Sequence, residues 1–206
     1  MHRWGFIKCF RFDNGRPFGS PDLDTVTPAA FVLAALGCRL IFNKPRSPTQ
    51  NAKVERNQGT TSRWAPAGNC ADLATFQQAL DEAVIIQRER YKTRVCQGQT
   101  RLAAFPKLAS NTRRYDARSF CLRKAYVYLG RFTFVRRVAA HGQIGLLGKR
   151  YQVGGHNRGK QVRIGLITKM GKPVWIVSDA AGQILERLVA RHLADGEFIA
   201  TVWRPS

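Results

Sequence analysis

The chain reads as an α/β segment followed by a mostly β segment, and three observations predict that order. An apolar stretch at 5–12, a wholly apolar run at 28–36 and a second apolar stretch at 39–42 succeed one another over short links. That is the pattern of a parallel strand, helix, strand crossover. An amphipathic stripe at helical spacing then fills 71–91. Beyond Asp116 the period changes to strand-like alternation broken by glycine turns at Gly142, Gly148, Gly154-Gly155, Gly171 and Gly182.

In chain order, the first strand delivers Asp13 to its C-terminal end, and Asp13-Asn14-Gly15 turns the chain. Thr27 is the expected N-cap of the first helix, with Pro28 at its first position and Gly37 as its stop. A helix apolar on all sides is a buried one. Arg39–Phe42 forms the second strand, and the two prolines between Asn43 and Pro48 enforce a loop. From Thr49 or Gln50 the chain turns into a polar helix, with Asn51, Glu55, Gln58 and Ser62 on one face. In the helix at 71–91, Leu73, Phe76, Leu80, Ala83 and Val84 share the core-facing stripe. Residues 92–115 form a basic linker, and Leu122, Ala125, Tyr126 and Leu129 mark a short amphipathic helix. Strands are expected at 132–138, 143–147, 150–153, 161–168, 174–178 and 183–188, closed into a small antiparallel barrel that removes their edges. The resulting division is 1–70, 71–115 and 116–206.

The charge is lopsided. The chain holds 34 basic and 13 acidic residues, a formal net charge of +21, which calls for a polyanionic partner, and nucleic acid is the first choice. Residues 112–206 carry 18 of the basic groups and 5 of the acidic ones. No run of eighteen apolar residues exists, which argues against a membrane partner, and the N-terminus has no secretory pattern, so a cytoplasmic location is expected. Five cysteines, Cys9, Cys38, Cys70, Cys96 and Cys121, stand far apart with no Cys-x-x-Cys pair. They are expected as reduced, mostly buried thiols.

Two motifs carry a resemblance. Asp13-Asn14-Gly15-Arg16-Pro17-Phe18 and Ser47-Pro48-Thr49-Gln50-Asn51-Ala52-Lys53-Val54-Glu55-Arg56 resemble the second and third acidic positions of the DDE transposase and integrase superfamily. The stretches Gly59–Ala65, Gln87–Tyr91 and Thr100–Pro106 are similar to the region after the last Glu in bacterial insertion-sequence transposases. The segments at 135–138, 142–144, 151–154 and 161–162 resemble their C-terminal barrel. The resemblance covers almost the whole chain and implies an RNase H-like integrase core. That core is incomplete here, because the family's first Asp lies on a strand upstream of the second, and none of the twelve residues before Asp13 is acidic. Asp22 and Asp24 come after the motif and do not replace it. The helix-turn-helix usual ahead of such cores is also missing, so the resemblance implies the C-terminal portion of a transposase.

The resemblance also implies a chemistry, residue by residue. Two Mg²⁺ or Mn²⁺ ions held by carboxylates activate water or a DNA 3′ hydroxyl and stabilise the leaving oxygen of an in-line displacement. Asp13 would share both metals and Glu55 would hold one. Asn51 would contact DNA near the scissile phosphate, and Arg46, Lys53, Arg56 and Arg63 would hold phosphates. In the barrel, Arg136, Arg137, Lys149, Arg150, Arg158 and Lys160 are the expected DNA-binding groups, against the plainer reading of a solvated basic face.

Three readings stay open. The chain acts in DNA cleavage and strand transfer with its missing Asp supplied by another polypeptide or frame, through self-association or a complementing transposase subunit. It is a non-catalytic DNA-binding remnant or regulator. It is a decayed product without a stable fold. Two carboxylates in place of three imply an enzyme inactive alone, and a lone pair of parallel strands implies apolar surface exposed from Gly5 to Phe42. Residues 116–206 are accordingly expected as the more stable part.

Overall fold

A computed structural model describes residues 5–13, 15, 25–44, 49, 52–110 and 113–200, apart from the side chains of Lys53 and Leu108. The chain is mixed α/β. It separates into two compact units: Met1–Ile7 with Arg46–Tyr115, and Lys8–Pro45 with Asp116–Ser206. These units cut across the expected division at 70, because the 8–45 segment packs with the C-terminal part.

The first unit is helical. Helix α2 (Ala52–Trp64) is polar along its length, as its sequence requires, and its Glu55, Arg56, Gln58 and Arg63 are exposed. Asp72 opens α3 (Leu73–Ile85) with a reciprocal capping box, its carboxylate accepting from the Thr75 N–H at 2.8 Å. The chain then loosens into a π turn at Ile86–Arg90. Leu73 does not join the core stripe. It is 84% exposed, because it sits in the first turn beside the cap, and only Ala83 of α3 is fully buried. Gln87 in the π turn is buried as well and donates to the Thr61 hydroxyl at 2.8 Å, while Arg101 donates to the Gln87 carbonyl at 2.6 Å. These bonds tie α2 and the π turn to α4 (Arg101–Ala104). Among the described residues, the expected linker at 92–115 therefore holds a short helix and two 3₁₀ turns.

The second unit holds the strands. Strand β1 (Cys9–Phe12) pairs in parallel with β2 (Arg39–Phe42), from Cys9 opposite Arg39 to Phe12 opposite Phe42. Between them α1 (Pro28–Ala35) starts as expected, with the Thr27 hydroxyl accepting from the Ala30 N–H at 3.3 Å and Pro28 at its first position. The expectation that this segment exposes apolar surface is overturned for α1. Residues 30–35 are buried, Phe31 completely, and its ring lies 5.4 Å edge-on to Phe198 and 6.3 Å from Tyr126. Tyr126 belongs to α5 (Leu122–Leu129), so α5 and the C-terminal turns cover the face that a longer sheet would otherwise cover.

The expected barrel does not form. Strands β3 (Thr133–Arg137), β6 (Gln161–Lys169), β7 (Lys172–Ser178) and β8 (Ile184–Val189) make an open antiparallel sheet in the order β3-β6-β7-β8. Strands β4 (Gln143–Leu146) and β5 (Lys149–Gln152) form a separate hairpin. The geometry shows why closure fails. At the free edge of β3, Arg136 sends its Nε to the Gly145 carbonyl of β4 at 3.1 Å, so a side chain occupies the acceptor that a continuing ladder would use. At the other side a register shift at Val177/Ser178 twists β8. One face of the sheet builds the core: Phe134, Val162, Ile164, Trp175 and Val177 are buried, with Trp175 edge-on to Phe134 at 6.0 Å. Short helix α6 (Arg191–Ala194) packs on β7. Of the cysteines only Cys38 is buried; Cys9, Cys70 and Cys96 are half-buried and Cys121 is exposed, contrary to the expectation of mostly buried thiols. Among the described residues no helix is long and apolar enough to cross a membrane.

Candidate functional site

The two motif carboxylates belong to different compact units. Asp13 lies just past β1, exposed, and its Oδ1 accepts the Gly15 N–H at 3.0 Å. This is the Asx turn its tripeptide predicts. Glu55 is exposed in the first turn of α2, where the helix dipole favours a carboxylate. Among the described residues no three His, Cys, Asp or Glu side chains gather into a metal-binding group. Within neither unit do the ligands fit a divalent pair, which needs several hard oxygens at one point. Arg46 and Asn51 lie outside the described residues, and Lys53 is known only as a backbone position in α2. Arg56 is exposed, and Arg63 turns its Nε onto the Gly59 carbonyl of its own helix at 3.1 Å.

The C-terminal basic residues are brought together much more closely. Strand β3 and the loop before β6 run side by side past the end of their ladder: the Val138 N–H donates to the Lys160 carbonyl and the Gly159 N–H to the Val138 carbonyl, both at 2.9 Å. Arg137 Nε donates to the Gly159 carbonyl at 3.2 Å, which brings its guanidinium to the backbone between Arg158 and Lys160. Lys160 is steadied by the side-chain oxygen of the buried Asn157 at 3.1 Å. Arg136 reaches Gly145, and Gly145 is the register partner of Arg150 on the neighbouring strand. Arg137, Arg158 and Lys160 therefore lie together where β3 meets the 155–160 loop, while Arg136, on the opposite face of β3, and Arg150 lie on the side of the hairpin. The sixth is neutralised. Lys149 forms an ion pair with Glu197 at 2.5 Å, and that hydrogen bond holds the Glu197 carboxyl below its ordinary range.

Arg137, Arg150, Arg158 and Lys160 have no carboxylate partner among the described residues, and all are exposed. Arg163 joins this surface, since it pairs in register with Val135 on the same face of the sheet as Arg137. Sequence reasoning missed it, although its place two residues beyond Gln161 in an alternating strand is the signal that finds it.

The hairpin that carries Lys149 and Arg150 is held from behind. Tyr151 Oη accepts from Trp175 Nε1 at 3.1 Å and meets His192 Nδ1 at 2.6 Å. Burial raises the Tyr151 phenol and lowers the His192 imidazole. His192 Nε2 is buried and has no partner among the described residues. No family model matches this chain, and no curated protein matches it.

Proposed function

We propose that this chain is a DNA-binding protein of the transposase and integrase type, which holds the DNA backbone with the basic end of its C-terminal sheet. The observation that carries the reading is the cluster of Arg137, Arg158 and Lys160 at the end of the β3–β6 ladder, with Arg150 on the neighbouring hairpin, all four exposed and without a carboxylate partner among the described residues. Exposed cations not neutralised by carboxylates suit phosphate oxygens, and they position DNA without reading its sequence. The partners are mobile-element ends and target DNA. Metal-dependent cleavage and strand transfer, with Asp13 and Glu55 among the ligands of Mg²⁺ or Mn²⁺ in an RNase H-like core, is proposed only for an assembly that supplies a further carboxylate.

The second reading, DNA binding without autonomous catalysis, rests on the two motif carboxylates, Asp13 and Glu55, where the chemistry takes three. The test is a gel-shift and nicking assay with the full chain, a labelled duplex and magnesium. The expected outcome is salt-sensitive binding without nicks. Strand transfer by the chain alone, lost in Glu55→Gln, would overturn the non-catalytic reading, and no binding at low salt would overturn the DNA reading itself.

A further inference from the structure

Away from the basic end of the sheet, the second unit contains a groove of about 600 Å³ between the end of α1, the start of β2 and the outer side of α5. Its apolar lining comes from Ala34, Leu40 and Val127, with the Tyr128 side chain beside them, and Val127 is 58% exposed. Four cations line the same groove, Arg39, Arg123, Lys124 and Arg131, and no carboxylate does. All four are exposed. Lys124 donates to the Ser119 carbonyl at 3.2 Å, while Arg39, Arg123 and Arg131 have no carboxylate partner among the described residues.

Two physical arguments make this arrangement costly without a ligand. Like charges around one concave, partly apolar wall repel, and the low-dielectric wall focuses their field. The sequence also opens α5 against ordinary helix rules: Arg123 and Lys124 stand in its first turn, no acidic residue does, and Cys121 gives no side-chain cap. A bound anion relieves both.

We propose that this groove binds a nucleotide unit, its phosphate held by the Arg and Lys groups and its base laid on Leu40, Val127 and Tyr128. The volume suits an organic ligand and exceeds what an inorganic anion fills. The apolar wall requires a body with an apolar face, and the absence of any carboxylate selects an anion. Burial pushes the Tyr128 phenol up to about 12, so it stays protonated and can donate a hydrogen bond to the base or phosphate. The same chemistry reaches the groove as a free nucleotide or as one unit of a DNA strand, and in the second form the inference rests on the DNA-binding reading above.

Cys121 lines the groove and is exposed, which supplies a local reporter. Alkylation of each cysteine in the full chain would be measured by peptide mass spectrometry. The additions are deoxynucleoside monophosphate, a 5′-phosphorylated single-stranded oligonucleotide, or inorganic phosphate at matched ionic strength. The proposal expects the nucleotide or the oligonucleotide to slow alkylation of Cys121 but not of Cys70 or Cys96, with phosphate inactive. In Arg123→Ala/Arg131→Ala the apparent affinity should fall at least about tenfold. Protection by oligonucleotide alone assigns the ligand to a DNA strand, and protection by both assigns it to the nucleotide chemistry. Equal protection by phosphate, or protection unchanged in the double variant, overturns the proposal. Duplex binding that persists without Cys121 protection sinks the groove and leaves the DNA reading standing; protection without duplex binding does the reverse.

Discussion

Phe31→Ala tests whether the 8–45 segment is a structural part of the unit that bears the basic surface. Phe31 is fully buried, edge-on to Phe198 and tilted against Tyr126. Removing a buried Phe side chain costs about 3–5 kcal/mol, which already includes the cavity left behind. At about 1.4 kcal/mol per factor of ten, that is roughly two to three and a half powers of ten in the folding equilibrium. Hydrogen exchange read by mass spectrometry reports the loss directly. Amides of β6 and β7 (161–178) open only when the unit opens, so their protection should fall by about two powers of ten or more, although no atom of Phe31 belongs to those strands. If protection drops in α1 and stays unchanged in 161–178, α1 is an appendage and the division of the chain into these compact units is wrong.

The same structure makes other outcomes testable. His192 is held neutral by burial against an ordinary pKa of 6.5, so its contribution is fully present above pH 6.5 and is lost as pH falls through its lower folded value; melting temperature should decline between pH 6.5 and 5, and His192→Gln should flatten that slope. A Cβ on Gly142, whose φ is +71°, would lie 2.5 Å from the Gly154 carbonyl carbon, so Gly142→Ala should destabilise by at least about 2 kcal/mol in urea melts. Gly171→Ala at a similar φ of +76° meets open space and should cost about 1 kcal/mol; equal effects would contradict the hairpin packing. Thr27→Ala removes the acceptor for the Ala30 N–H and should cost about 1 kcal/mol.

Local signals in the sequence located most elements. Thr27 with Pro28 placed the start of α1, and glycine turns with period-two alternation placed all six C-terminal strands to within two residues. Closure into a barrel was not legible, because it depends on which strands share an edge. The Arg136 bond to Gly145 that ends one edge joins residues nine apart through a side chain. The cover on α1 was equally hidden: Phe31 meets Phe198, far along the chain, and nothing in the periodicity of 28–36 names its partner. For the site, residue type foretold a basic surface but not its selection. Only the fold shows that Lys149 is neutralised by Glu197 while the Arg137 guanidinium is held on the Gly159 carbonyl, beside Arg158 and Lys160. The groove cations went unnoticed because Arg39 and Arg131 are distant in sequence, although Arg123-Lys124 at a helix start was a visible anomaly.

The most direct test of DNA binding by the basic end of the sheet is the salt dependence of duplex affinity for the full chain and for Arg137→Ala/Arg150→Ala/Arg158→Ala/Lys160→Ala. Each phosphate contact contributes about −0.9 to the slope of log K against log salt. The four substitutions should therefore flatten the slope by about 3 to 4 and weaken binding at every DNA sequence alike. A slope and affinity unchanged in the quadruple variant would show that DNA is held elsewhere, and the account of this surface would fail.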